Sequence, residues 1–211
     1  MNPVSRYRLL VFDFDGTLAD STVLFDQFIP AFARQRGVSE PDGGWHSLRG
    51  LDSRAMLRAL RIRWWQLPAV TAQMRTLMAA NLHQVRLYPG LPAVLQQLHR
   101  QGLQLRVVSS NSQQAVEQVL GPYVPLFAAL HCGAPLLGKR RVMARALRQS
   151  GVAAGQALSI GDEVRDAEAS HACGMDFVGV GWGLAPPAVL QPRSDWPVLQ
   201  QPEDLLLRLQ R

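Results

Sequence analysis

A chain of 211 residues that is 47% hydrophobic and 18% charged has the balance of a folded globular protein and is too apolar to be disordered. No apolar run approaches the ~20 residues a membrane-spanning helix needs, and two cysteines, Cys132 and Cys173, are too few for a disulfide framework. The formal net charge of +6 raises the question of nucleic acid, but the arginines are scattered through every segment, so a nucleic-acid partner is not expected.

The first apolar run, RYRLLVF at residues 6–12, has the look of a signal sequence. Asp13 and Asp15 interrupt it and no small-residue cleavage site follows, so that reading is rejected. With reduced cysteines, the cytoplasm is the expected compartment. Residues 9–14 read instead as a buried strand. Further strands are expected over 103–109, 127–130, 157–160 and 177–180, with helices over 90–101, 112–120, 139–150 and 164–173 between them. Gly102 and Gly151 stand where helix stops belong. This alternation predicts an α/β fold with a parallel sheet covered by helices.

One connection breaks the rhythm. Residues 24–37, 53–65 and 67–85 all carry helical spacing, residues 39–44 (SEPDGG) read as a loop, and no strand is evident among them. They form a helical module inserted after the first strand. The predicted division is a discontinuous core of residues 1–18 and 86–211 and a cap of residues 19–85. Four prolines, at 186, 187, 192 and 197, precede a short final helix that opens near Pro202.

Sites in open parallel sheets form beyond the carboxyl ends of the strands. Three strands end in chemistry-bearing residues: DFDGT at 13–17, SSNS at 109–112 and GDEVRD at 161–166. Each has a plainer reading alone. Asp15–Gly16 suits a tight turn, the serines suit helix caps, and Asp162 suits a cap for the helix at Val164. The single lysine among 22 basic residues, Lys139, opens the helix before the fourth strand. A compact ammonium is not interchangeable with a guanidinium. Together these residues supply carboxylates, hydroxyls, backbone N–H groups and an ammonium, a set suited to a divalent cation and a phosphoryl group.

DFDGT, the strand ending at Ser109, Lys139 and GDEVRD, in that order, resemble the four motifs of haloacid-dehalogenase-superfamily phosphatases. DAEASHACGM at 166–175, GVGWG at 179–183 and the final PEDLL resemble the phosphoglycolate-phosphatase-like branch. The resemblance implies a Rossmann-like core with a mobile helical cap. It assigns Asp13 as nucleophile and Asp15 as general acid and base. Lys139 becomes the catalytic and phosphate-binding cation, and Ser109, Ser110 and Asn111 the phosphate-binding group. Mg²⁺ would be held by Asp13, Asp15 through its main-chain carbonyl, and Asp162, with Asp166 supporting that site. Arg165 is expected to pair with Glu163 or Asp166. Arg49 and Arg54 are the candidate substrate-specificity residues, because a guanidinium binds a second anionic group bidentately.

The expected function is hydrolysis of a small phosphorylated metabolite by a monomer or homodimer. Dehalogenases of the superfamily lack an acid at the position of Asp15. Phosphonate-cleaving relatives use a cap lysine, which this cap does not have. A sugar-phosphate mutase, or a binding protein that retains the fold, remains the alternative. Trp64 and Trp65 are expected to pack within the cap or against another copy, and Arg141, Arg145 and Arg148 to form a solvated helix face.

Overall fold

The structure is a computed structural model that describes residues 6–51, 53–135 and 138–210. Its centre is β1 (Leu9–Phe12), a strand buried along its whole length. β2 (Gln104–Val108), β3 (Phe127–His131), β4 (Ala157–Gly161) and β5 (Asp176–Gly179) complete a five-stranded sheet. The order is β3-β2-β1-β4-β5 and every pairing is parallel. The chain steps outward from β1 to β3, then returns to the opposite side of β1 for β4. Strand order therefore reverses at β1, where a ligand crevice is expected.

Alternation along β1 divides the core into two layers. Leu10, Phe12 and Phe14 belong to the larger cluster. It includes Leu91, Val94, Leu95 and Leu98 of α4 (Leu91–Arg100), Val116 and Leu120 of α5 (Gln113–Leu120), and Leu205 and Leu209 of α9 (Glu203–Leu209). Leu9 and Val11 face the other way, onto Met143 and Ala146 of α6 (Lys139–Ser150) and Ala169 of α7 (Val164–His171). Both α4 and α6 bury residues at helical spacing, which is why these segments fold as amphipathic helices on a sheet. α8 (Pro187–Leu190) is a single turn whose Leu190 packs with Ala185 and Val198. β2 carries an exception to apolar burial. Arg106 is buried on the α6 side, where its Nη2 donates to the Gln149 carbonyl at 2.9 Å.

Between β1 and α4 the chain forms α1 (Thr22–Gln35), α2 (Ser53–Ala59) and α3 (Leu67–Asn81). These helices share a cluster of their own, built on Ile29, Phe32, Leu57, Leu60, Ile62 and Val70. The two segments joining this helical layer to the sheet layer pair with each other. Asp20 N–H donates to the Arg86 carbonyl at 2.8 Å and Tyr88 N–H to the Leu18 carbonyl at 3.0 Å, with an antiparallel bridge between Ala19 and Leu87.

The expected strands and core helices appear within one or two residues of their predicted ends, but α2 does not run to residue 65. Arg61 takes a positive φ of 51°. The Ile62 N–H then reaches back to the Leu57 carbonyl at 2.7 Å and the Arg61 N–H to the Arg58 carbonyl at 3.0 Å, closing the helix in the Schellman manner without a glycine. That turn buries Ile62 in the cap cluster and leaves Trp64 and Trp65 74% and 55% exposed. The two tryptophans touch each other edge-on and do not pack within the cap cluster. Arg141, Arg145 and Arg148 are exposed. Among the described residues, no helix is long and apolar enough to cross a membrane.

Leu98 is fully buried in the larger cluster. Leu98→Ala is expected to cost about 3 kcal/mol, read as a lower urea midpoint with an unchanged slope. Arg145→Ala, at an exposed position, is expected to change stability by less than about 0.5 kcal/mol.

Candidate active site

Strand parity places Asp13. It continues the Leu9–Val11 series toward α6 and α7, and its N–H still pairs with the Ile160 carbonyl of β4 at 2.9 Å. Helical spacing brings Lys139 to meet it. Residues 139, 143 and 146 are the buried positions of α6, so the lysine at the first turn lies on the same face as the core methionine. Its Nζ stands 2.7 Å from Asp13 Oδ1 and also contacts Asp166 Oδ1. Asp166 sits in the first turn of α7, where its Oδ2 accepts the Glu163 N–H at 3.0 Å.

Asp162 leaves the end of β4 with no exposure. Its Oδ1 accepts from the Thr17 hydroxyl at 2.9 Å and its Oδ2 from the Leu184 N–H at 2.8 Å. Two glycines permit this. A Cβ at Gly16, whose φ is +69°, would lie 2.0 Å from Asp162 Oδ2, and one at Gly183 would lie 2.2 Å from the Asp162 Cβ and 2.5 Å from the Gly16 carbonyl. Glu163, not Asp162, occupies the N-cap position of α7. Asp15, beyond the turn from Asp13, is held at both oxygens, by the Ser21 hydroxyl at 2.9 Å and the Asn111 amide at 2.7 Å. The Asn111 N–H donates to the buried Ser109 hydroxyl at 3.0 Å. Ser112 does cap α5, accepting from the Ala115 N–H at 3.2 Å.

The site concentrates charge away from water. Burial pushes the Asp13 carboxyl up to about 7, with Lys139 opposing and Asp166 adding to the rise. Burial also raises Asp15, against its bonds to Ser21 and Asn111, and raises Asp162, where Glu163, Asp13 and Asp166 add their repulsion. For Lys139, burial alone would favour the neutral amine, but Asp13 and Asp166 outweigh it and hold the ammonium. Arg165 pairs with Glu163 at 2.6 Å and is held charged by Glu163, Asp13 and Asp166 against its burial.

Asp13, Asp162 and Asp166 each offer an oxygen within 4.8 Å of the others, and Asp13 Oδ2 is buried with no hydrogen-bond partner. Three buried carboxylates facing one contacting ammonium leave uncompensated negative charge. Hard oxygen donors of this kind suit Mg²⁺, so the residues fit a divalent cation. The carboxylate of Asp15 lies outside this group of three.

A cavity of about 170 Å³ lies between the helical layer and the strand ends. Asp15, Ser110, Asn111, Glu163 and Arg165 line its core side. Neither Arg49 nor Arg54 is among its described lining residues. Arg49 is bound to Asp26 of α1 and Arg54 is exposed. The cap arginine that does reach the cavity is Arg75 of α3, whose Nε donates to the Ser110 carbonyl at 2.9 Å. Helical spacing in the sequence marks where Arg75 lies on α3 but not that this face covers the strand ends. Thr17, Ser21 and Gly183 also lacked assigned roles, although Thr17 and Gly183 lie inside segments that the sequence singles out.

Comparison with known proteins agrees with this architecture. The haloacid dehalogenase-like hydrolase family matches residues 10–180. Phosphoglycolate phosphatase of Synechococcus elongatus is 32% identical over 203 residues, covering 94% of this chain and 95% of its own. A 5'-nucleotidase of Pseudomonas aeruginosa is 26% identical, with 85% of each chain covered. The solved structure of a haloacid dehalogenase-like hydrolase from Streptococcus pneumoniae superposes with a TM-score of 0.77 at 21% identity, covering 96% of this chain and 98% of its own. The family match over most of the chain, together with the full-length phosphatase relative, establishes that this protein belongs to the haloacid dehalogenase-like hydrolases and is a phosphatase of the phosphoglycolate phosphatase type.

Proposed function

We propose that the protein is a Mg²⁺-dependent phosphatase that hydrolyses a small phosphomonoester through an aspartyl phosphate on Asp13. The observation that carries this reading is the state of Asp13. Its Oδ1 is on Lys139, its Oδ2 is buried and unpartnered, and Asp15 is fixed by two hydrogen bonds at the mouth of the cavity.

In the first step an Asp13 oxygen attacks phosphorus and the bond to the leaving oxygen breaks. Asp15, whose neutral form burial favours, acts in that step as the acid that gives its proton to the departing alcohol. In the second step a water oxygen attacks the same phosphorus and yields its proton to Asp15. Asp13 leaves as a carboxylate, and the products are the alcohol and inorganic phosphate. The Ser109 hydroxyl and the Ser110 N–H orient the phosphoryl oxygens, and Asn111 keeps Asp15 aimed. Lys139 offsets the charge that gathers on Asp13 and the phosphoryl group. Mg²⁺, held by Asp13, the Asp15 main-chain carbonyl and Asp162 with Asp166 beside them, would supply further neutralisation of the phosphoryl charge. Arg165 and Glu163 act as a paired support for this cluster.

Phosphate release from 2-phosphoglycolate, nucleoside monophosphates and sugar phosphates, with Mg²⁺ and after its chelation, tests the reading. Asp13→Asn is expected to lose at least ~10³-fold in turnover, and Asp15→Asn on the order of 10²- to 10⁴-fold. Undiminished release by a clean Asp13→Asn preparation would exclude the mechanism.

The same carboxyls give stability a pH dependence. A group raised in the folded state contributes stability below its ordinary value and loses that contribution as pH climbs through its folded value. For Asp13 that window runs from 3.8 up to about 7. Metal-free protein is therefore expected to melt on the order of a few degrees lower at pH 8 than at pH 5.5, with Mg²⁺ narrowing the gap. A metal-free melting temperature that rises over that interval would contradict this account.

A further inference from the structure

The cavity above Asp15 does not stop at the surface of the cap. Phe32, Leu57 and Val70 line it and are also members of the cap's own hydrophobic cluster, so the void runs into that core. Protein interiors hold few voids larger than a water molecule, so a space of this size walled by core residues is a shaped feature of the cap. At about 170 Å³ it is comparable to the roughly 150 Å³ apolar cavity that takes up benzene. Among the described residues, α1 and α2 contribute no charged side chain to the lining. The lining cations, Arg75 and Arg165, are engaged with the Ser110 carbonyl and with Glu163.

We propose that the substrate is a phosphomonoester of a neutral, apolar alcohol with a ring-sized or branched-chain body, which the cap takes into its own core. The proposal rests on the phosphatase reading above and names the leaving group. The phosphoryl group sits at Asp13, the ester oxygen is at Asp15, and the body of the alcohol lies among Phe25, Phe28, Leu57 and Met78. A leaving group with its own carboxylate gains little from such a wall, because burying that charge without a partner is costly. Arg75 holds the cap side of the entrance against the Ser110 loop.

The test is kcat/KM with Mg²⁺ for ethyl, propyl, butyl and benzyl phosphate, whose alcohols are of similar acidity, beside 2-phosphoglycolate. The expected result is a rise of roughly fourfold per added methylene, with benzyl phosphate ahead of 2-phosphoglycolate. Met74→Glu, at a lining residue that is 39% exposed, is expected to lower the benzyl-to-ethyl ratio at least ~10-fold. A flat alkyl series with 2-phosphoglycolate preferred would overturn the proposal and leave the phosphatase reading standing. No phosphate released above the Asp13→Asn background from any of these compounds would overturn the proposal, and the same silence from the nucleoside and sugar phosphates would overturn the phosphatase reading with it.

Discussion

The structure depends on holding three carboxylates, Asp13, Asp162 and Asp166, together out of water with one ammonium in contact. Like charges at this spacing repel, and burial strengthens that repulsion. The fold answers with a set of fixed donors. Thr17 and the Leu184 N–H hold Asp162, and the Glu163 N–H holds Asp166. Two glycines let the backbone pass close enough for these bonds to form. These parts come from four separate stretches of chain, residues 13–17, Lys139, residues 162–166 and residues 183–184, so the cluster is a tertiary object built at the edge of a rigid sheet. Asp13 keeps one oxygen outside every such bond, and that oxygen is where the proposed chemistry begins.

The helical layer serves a different end. It has a cluster of its own beside the two clusters of the sheet core, and Leu24 of α1 and Met78 of α3 pack into the larger of those two. It touches the core loops through the Arg75 bond to Ser110 and joins the sheet through two short segments paired with each other. A layer connected in this way shapes the space over the carboxylates without carrying any of the proposed catalytic groups. The division of labour follows. The sheet edge supplies the proposed reacting groups and the cap supplies the walls.

Much of this was legible in the sequence for a physical reason. A parallel strand buried on both faces is a continuous apolar run, so aspartates at its end stand out. A helix that buries residues 143 and 146 also buries residue 139, and the lone lysine opens the helix that leads into the fourth strand, which puts it near the strand ends. The fold class followed from the same periodicities. What periodicity lacks is the relation between layers. Arg49 lies between the expected helices and Arg75 on one of them, and local pattern does not say which of these two cap arginines reaches the core. Arg49 turns to Asp26 inside the cap, while Arg75 crosses to the core. The end of α2 was missed because its stop uses Arg61 at positive φ, where the usual glycine signal is absent.

The sequence by itself determined the α/β class, the helical insertion and which carboxylates and ammonium lie at the strand ends, because parity and helical spacing are local properties of the chain. Tertiary structure alone decided that Thr17, Ser21, Asn111 and Leu184 hold the acids, that Arg75 and not Arg49 reaches the cavity, and that residues of the cap cluster line that cavity. Those facts depend on how separate layers pack, and no stretch of sequence contains that distance.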